Sequence, residues 1–205
     1  MVREILQIGG IVIKHLFLLL TAILLLAGIA PAQKGAANIR GVNFLNYTYS
    51  SSLCAENFQL PETFRARRGK YRDKRSYAEI KNGRVVYGDL TGDGREEAIV
   101  HIACGDFTGN FSSSDIFVYT MRKGKAELLS KMNSDALEKD YKDFFPEGFL
   151  VIVKGVTIAK KRMIVEAYSD GSNAAPAHIA TMNYEIIGHG ANLTGKPKIR
   201  PSRLK

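Results

Sequence analysis

Residues 84–104 read Arg84-Val-Val-Tyr-Gly-Asp-Leu-Thr-Gly-Asp-Gly-Arg-Glu-Glu-Ala-Ile-Val-His-Ile-Ala-Cys104, and this stretch decides the fold. An apolar run enters a turn rich in glycine and aspartate, and a longer apolar run leaves it, which predicts strand, turn, strand. The second run is almost continuously apolar, which indicates a strand covered on both faces. We predict that His101 in this run is a hydrogen-bonded core residue, because the run holds no second ligand at suitable spacing.

The turn inside this stretch is the one segment with the chemistry of a site. It offers oxygen atoms at alternate positions, from the side chains of Asp89, Thr91, Asp93 and Glu97 and the carbonyl of Arg95. An EF-hand is excluded, because position 12 of the loop would be Val100, which lies inside the next strand. Two interpretations stay open. The turn is either a weak Ca²⁺ site, with a Kd on the order of 10⁻⁴–10⁻³ M, or a β-turn whose aspartates only cap N–H groups.

The first 32 residues differ in composition from the rest of the chain. A basic region precedes the uncharged apolar run 16–30, and Ala30-Pro31-Ala32 then comes before Gln33. This order is typical of a cleaved signal peptide at residues 1–32. A retained N-terminal membrane anchor is the alternative, although the run is shorter than the roughly 20 residues that cross a bilayer. We expect export to the periplasm or the medium, with anchoring in the inner membrane as the alternative.

Cysteine usage agrees with export. Cys54 and Cys104 are the only cysteines in the sequence, and an oxidising compartment would let them form a disulfide. That bond would close a loop of about 50 residues and stabilise the fold by roughly 4 kcal/mol on the chain-entropy estimate. The alternative is two separate buried thiols.

Basic residues are concentrated in segment 65–75, which has seven of them against a single aspartate, in a chain of net charge +9. They are Arg65, Arg67, Arg68, Lys70, Arg72, Lys74 and Arg75. We expect a solvated loop or exposed strand here, and in an exported protein the alternative is a basic patch that binds anionic envelope components, such as lipid head groups. No specific recognition of nucleic acid is expected, and the sequence names no other partner.

The patterns along the chain predict a mostly β protein of the β-rich α+β class, with an antiparallel sheet or sandwich of about eight strands and one short helix. The helix is predicted over 135–145, with Asn133 or Ser134 as its N-cap. Asn82-Gly83 predicts a tight hairpin between strands 76–81 and 84–88. The predicted domain organisation is a flexible leader at 33–41, a single β-rich domain at 42–190 and a basic disordered tail at 191–205.

Neither Gly-x-Ser-x-Gly nor His-Glu-x-x-His occurs in the sequence. We therefore expect an exported protein that is not an enzyme. One alternative is a membrane-anchored periplasmic domain that binds envelope polyanions through its basic segments. The other is a hydrolase whose active-site residues come together only in the fold.

The 89–97 turn, Asp-Leu-Thr-Gly-Asp-Gly-Arg-Glu-Glu, resembles the calcium loop of FG-GAP/VCBS-type repeats, of which this chain has a single copy. Residues 42–187 also resemble a group of small exported bacterial proteins without an assigned activity. That resemblance depends on the central motif and on Cys54 and Cys104. It implies a secreted or envelope protein.

Overall fold

The computed structural model describes residues 38–109, 111–172 and 175–202. Within these ranges the chain forms twelve strands in three antiparallel sheets and two α-helices. The prediction of a mostly β fold is confirmed, although the strands outnumber the expected eight. No helix in the described ranges is long and apolar enough to cross a membrane. The predicted signal peptide, residues 1–32, lies outside them.

The central sheet has five strands in the order β3-β4-β5-β6-β7, so each strand pairs with its neighbour in sequence. The strands are β3 (Lys70–Arg72), β4 (Ser76–Gly88), β5 (Glu97–Asp106), β6 (Ser112–Arg122) and β7 (Lys125–Asn133). The predicted strands on either side of the 89–97 turn are therefore β4 and β5. Residues 97–105 are all buried, which confirms the prediction that this strand is covered on both faces.

A second five-stranded sheet follows, with the order β11-β10-β9-β8 and with β12 also paired to β10. Its strands are β8 (Leu150–Ala159), β9 (Arg162–Gly171), β10 (Pro176–Ile187), β11 (Gly190–Leu193) and β12 (Lys198–Pro201). β11 pairs with the end of β10, and β12 pairs with its beginning, so the two short strands lie along one edge.

The predicted disordered tail at 191–205 is therefore wrong over most of its described part. β11 has only four residues, which leaves the N-terminal half of the β10 edge with unpaired backbone groups. An open edge of this kind readily accepts another strand. β12 fills it, with His178 opposite Pro201 and Thr181 opposite Lys198.

An N-terminal layer covers the outer face of the central sheet. It consists of two 3₁₀ turns (Ile39–Gly41 and Phe44–Asn46), the two-stranded sheet of β1 (Thr48–Ser50) and β2 (Thr63–Arg65), and helix α1 (Ser52–Phe58) between them. The prediction of a flexible leader at 33–41 is wrong for its described residues, 38–41. The Asn38 side chain accepts a hydrogen bond from the Gly41 N–H at 3.2 Å, and Ile39 is buried in the core.

Helix α1 lies in a segment for which the sequence predicted no helix. The hydroxyl of Ser51 accepts a hydrogen bond from the Cys54 N–H at 3.0 Å, which caps the helix at its N-terminus. The predicted second helix is α2 (Ser134–Lys142), with the Asn133 side chain as its cap. Leu137 and Tyr141 on this helix are buried, as its 3.6-residue period indicated.

The side chains of β5 divide between two apolar cores. Ala98, Val100, Ile102 and Cys104 pack against the N-terminal layer, whereas Ile99 packs toward the second sheet and α2. Cys54 and Cys104 form a disulfide that joins α1 to β5, which confirms the predicted pairing. The part of the chain that the structure describes therefore has three layers, with the central sheet in the middle.

Candidate functional site

The first candidate is the 89–97 turn. In this turn the Asp89 carboxylate accepts hydrogen bonds from two backbone N–H groups. Its Oδ1 accepts from the Gly92 N–H at 2.6 Å, and its Oδ2 accepts from the Gly94 N–H at 3.2 Å. Gly92 and Gly94 have φ of +81° and +85°, in the left-handed region that glycine adopts without steric cost. The Nζ of Lys161, from the β8–β9 turn, lies 3.9 Å from Asp89 Oδ2.

Asp93 and Glu97 also have partners within the protein. Asp93 Oδ1 accepts from the Arg95 N–H at 2.9 Å, and its Oδ2 pairs with the Arg95 guanidinium, which lowers the pKa of Asp93. Glu97 is fully buried, and burial raises the pKa of this carboxyl group. Its Oε2 accepts from the Leu90 N–H at 2.8 Å and more weakly from the Thr91 N–H, and its Oε1 accepts from the Thr120 hydroxyl at 3.2 Å.

The predicted ligands are thus close together, but their oxygens cap the turn. Among the residues that the structure covers, no three His, Cys, Asp or Glu side chains are grouped as they would be around a metal ion. Lys161 and Arg95 also place positive charge beside Asp89 and Asp93. Calcium binding by this turn stays a prediction.

The second candidate is the basic segment, whose seven cationic side chains are all exposed. Lys70 lies 3.8 Å from Glu79, and the other six have no carboxylate partner among the described residues. Asp73, the only acid in the segment, forms no ion pair with these side chains, and its Oδ1 accepts the N–H groups of Arg75 and Ser76 at 2.8 Å each. These bonds lower the pKa of Asp73.

Two exposed phenylalanines lie beside this segment. Phe107 is 50% exposed and Phe111 is 58% exposed. The guanidinium of Arg72 lies 5.7 Å from the centre of the Phe107 ring, and the Phe107 N–H donates to the Arg75 carbonyl at 2.9 Å. Phe58, which packs against Phe111, lines one depression together with Lys74, Arg75 and Phe107. We name Arg72, Lys74, Arg75, Phe107 and Phe111 the aromatic–basic patch.

The third candidate arises where the predicted hairpin at Asn82-Gly83 is wrong. β4 continues through this dipeptide and pairs with β5 on both sides of it. Ile80 lies opposite Ile102 and Val85 opposite Val100, so residues 81–84 oppose His101 alone. Asn82 and Gly83 do have positive φ, of 57° and 61°, but this conformation produces a bulge.

A cleft of about 520 Å³ lies between this bulge and strand β8. His101 lines the cleft, is 5% exposed, and has its Nε2 3.0 Å from the Ser114 hydroxyl. This confirms its prediction as a hydrogen-bonded core residue. Burial, together with the nearby positive charge of Lys81, lowers the pKa of His101 to about 3. The ring is therefore neutral at physiological pH. The cleft could not be read from the sequence, because its walls come from distant segments.

The hydrolase alternative depends on histidines that meet carboxylates. His178 Nδ1 lies 3.3 Å from Asp170 Oδ2, and that oxygen also accepts from the Tyr141 hydroxyl at 3.2 Å. The other Asp170 oxygen accepts the Phe149 N–H at 3.2 Å. These contacts tie β9 and β10 to α2.

Comparison of this chain with protein-family models, with curated proteins and with solved structures finds no match.

Proposed function

We propose that this is an exported protein, periplasmic or secreted and without catalytic activity, that attaches to an anionic membrane surface through the aromatic–basic patch. The predicted signal peptide supports export. So does the Cys54–Cys104 disulfide, because such bonds persist mainly in oxidising compartments.

The observation that carries the proposal is the combination of uncompensated cations with exposed aromatic rings. Arg72, Lys74 and Arg75 have no carboxylate partner in the described part of the chain. Each cation near an anionic bilayer contributes about 1 kcal/mol to binding. Phe107 and Phe111 add apolar surface that can enter the boundary between head groups and acyl chains. A soluble polyanion would leave these rings in water, so the patch favours lipid.

Vesicle co-sedimentation tests this proposal, with the protein that begins at Gln33. It should bind vesicles that contain phosphatidylglycerol and not vesicles of phosphatidylcholine alone. Replacing Lys74 and Arg75 by Ser should weaken binding roughly tenfold to thirtyfold, since two contacts of about 1 kcal/mol are lost. The matched control replaces Lys123 and Lys125, two exposed lysines at the β6–β7 turn, and should bind almost as the unmodified protein does.

A second pair of variants tests the role of the rings. Phe107→Ser with Phe111→Ser should weaken vesicle binding and leave retention on a heparin column unchanged. Equal losses in the Lys74/Arg75 and Lys123/Lys125 variants would show that only net charge matters, which contradicts the proposal. Vesicle binding that does not respond to the phenylalanines would favour an anionic polymer as the partner.

The export part of the proposal has its own measurement. The mass of the protein recovered from its host should correspond to a chain that begins at Gln33 and carries no free thiol. Recovery of Met1 in the membrane fraction would favour the anchored form.

A further inference from the structure

The cleft beside the β4 bulge lies where both large sheets depart from regular pairing. Four residues of β4 oppose His101 alone. In the facing sheet, β8 shifts its register against β9 between Val153 and Gly155. Each bulge interrupts regular pairing at the place where the sheets face one another. The result is a cleft of about 520 Å³, which is within the range of small-molecule sites.

One ring nitrogen of His101, which lines the cleft, has no hydrogen-bond partner in the described protein. His101 is 95% buried, and its Nε2 forms a hydrogen bond with the Ser114 hydroxyl. Its Nδ1 has no hydrogen-bond partner among the described residues. A neutral imidazole can donate or accept one hydrogen bond at this atom. A polar group of a ligand can therefore form a hydrogen bond with Nδ1.

The charges at the mouth of the cleft are unbalanced. Lys81 and Arg84 line it, and neither has a carboxylate partner in the residues the structure covers. The other charged groups of the lining already have partners. The guanidinium of Arg40 forms a two-bond ion pair with Glu96. Glu166 pairs with Lys154 at 3.1 Å and with Arg200 at 2.9 Å.

The uncharged part of the wall combines the aliphatic side chains of Val85, Val86, Ile99 and Val156 with Asn82, Tyr87 and Thr157. Val86 and Val156 pack against the core between the sheets, and Ile99 is fully buried in it. A ligand in this cleft therefore meets two cations and several aliphatic side chains in the same lining. This combination disfavours a cation, and it favours an anion over an uncharged acceptor because hydrogen bonds between two charged groups are the stronger ones.

We propose that this cleft binds a small organic anion, with its carboxylate or phosphate against Lys81 and Arg84 and its apolar body against Val86, Ile99 and Val156. The site is separate from the aromatic–basic patch and does not depend on membrane attachment. The chemical class is an acid with a hydrocarbon or aromatic body small enough for the cleft.

A fluorescent aromatic anion, 1-anilinonaphthalene-8-sulfonate, serves as the probe, with the disulfide-intact protein. The probe should bind with increased fluorescence, and decanoate should displace it. Decan-1-ol and decylammonium have the same hydrocarbon body without the negative charge, and should displace it at least about tenfold less effectively. The ring signals of His101 in an NMR spectrum should shift when decanoate is added.

Charge-removing variants locate the binding site. Lys81→Met with Arg84→Met should raise the Kd of the probe roughly tenfold or more, because hydrogen bonds to a charged group are lost. Lys125→Met, an exposed cation outside the cleft, should leave the Kd unchanged. Phe107→Ser with Phe111→Ser should also leave it unchanged, which separates cleft binding from adsorption on the exposed rings.

The proposal is overturned if the Lys81/Arg84 variant is folded by circular dichroism and binds the probe as tightly as the unmodified protein. It is also overturned if decan-1-ol competes as well as decanoate, or if the His101 signals do not move. Loss of vesicle binding has no bearing on this result, so the two proposals can fail separately.

Discussion

The two faces of the central sheet are built from the same strands but differ in chemistry. On the face toward the N-terminal layer, β5 presents Ala98, Val100, Ile102 and Cys104, which are fully apolar or disulfide-bonded. On the other face it presents Glu97 and His101 on either side of Ile99. The first face is closed by packing and a covalent bond. The second contains buried polar groups and forms part of the lining of the cleft.

Aromatic rings close the N-terminal face. Phe44, Tyr47, Tyr49, Phe117 and Tyr119 form a connected group whose neighbouring ring centres lie 5.1–6.2 Å apart. Tyr49 and Tyr119 are buried, and burial raises the pKa of each phenol. The hydroxyl of Tyr49 donates to the Phe44 carbonyl at 2.6 Å. Large rings packed in this way form a rigid core.

The largest expected effect tests whether the covalent bond holds that face together. Replacing Cys54 and Cys104 by Ser should lower the free energy of unfolding by about 2–5 kcal/mol, because the unfolded chain regains the freedom of the 50-residue loop. Urea unfolding measures the loss. Hydrogen exchange should show that α1 and the β1–β2 pair lose protection first. Equal loss of protection in β8–β10 would contradict the distinction between the faces.

The next prediction concerns His101 on the other face. Its pKa is about 3 in the folded protein and roughly 6.5 in an unfolded chain. Between these values only the unfolded chain binds the proton. The stability associated with neutral His101 is therefore complete above about pH 6.5 and falls as the pH drops toward 3, by at most about 1.4 kcal/mol per pH unit.

Urea unfolding at several pH values measures this effect as a difference between variants. The stability of the unmodified protein relative to His101→Gln should decrease as the pH is lowered from 6 to 4. His189→Gln is the control, because His189 is exposed, and it should follow the unmodified protein. A constant difference in stability between the unmodified protein and His101→Gln would contradict this prediction, because His101 would then bind a proton equally well in the folded and the unfolded chain.

The smallest effect concerns the 89–97 turn, which ends on the same face at Glu97. If the turn binds Ca²⁺, a concentration ten times the Kd should stabilise the fold by about 1.4 kcal/mol and raise Tm by about 2–4 °C. Asp93→Asn should abolish this shift. Arg95→Ala should lower the Kd, because it removes the cation that now pairs with Asp93. A Tm that is equal with chelator and with millimolar Ca²⁺ would leave the aspartates as turn caps.

Patterns within a short stretch of sequence predicted one strand and one helix correctly. The apolar run 98–104 gave a strand covered on both faces, and the period of 135–145 gave α2. Asn82-Gly83 was misread although its backbone conformation was predicted correctly, with positive φ at both residues. Whether such a dipeptide reverses the chain or bulges a strand depends on the partner of residues 84–88, and that partner is β5.

The remaining errors also involve partners that are distant in sequence. The basic tail is ordered because β11 leaves part of the β10 edge open. Residues 38–41 are ordered because Ile39 enters a core made by β5 and β6. The cleft joins Lys81 and Arg84 from the bulge to β5 and β8. No periodicity or motif records that proximity, whereas the disulfide was predictable because the sequence offers a single pairing.

That single pairing also has a consequence for how the chain folds. With two cysteines in this sequence, oxidation within one molecule cannot trap a wrong bond, so no isomerase step is needed. The Cα atoms of the pair are 5.9 Å apart in the fold, a separation that suits a disulfide and that is held when α1 lies against β5. The rate at which free thiols disappear during refolding should therefore report the rate at which α1 docks against β5 and the N-terminal layer forms.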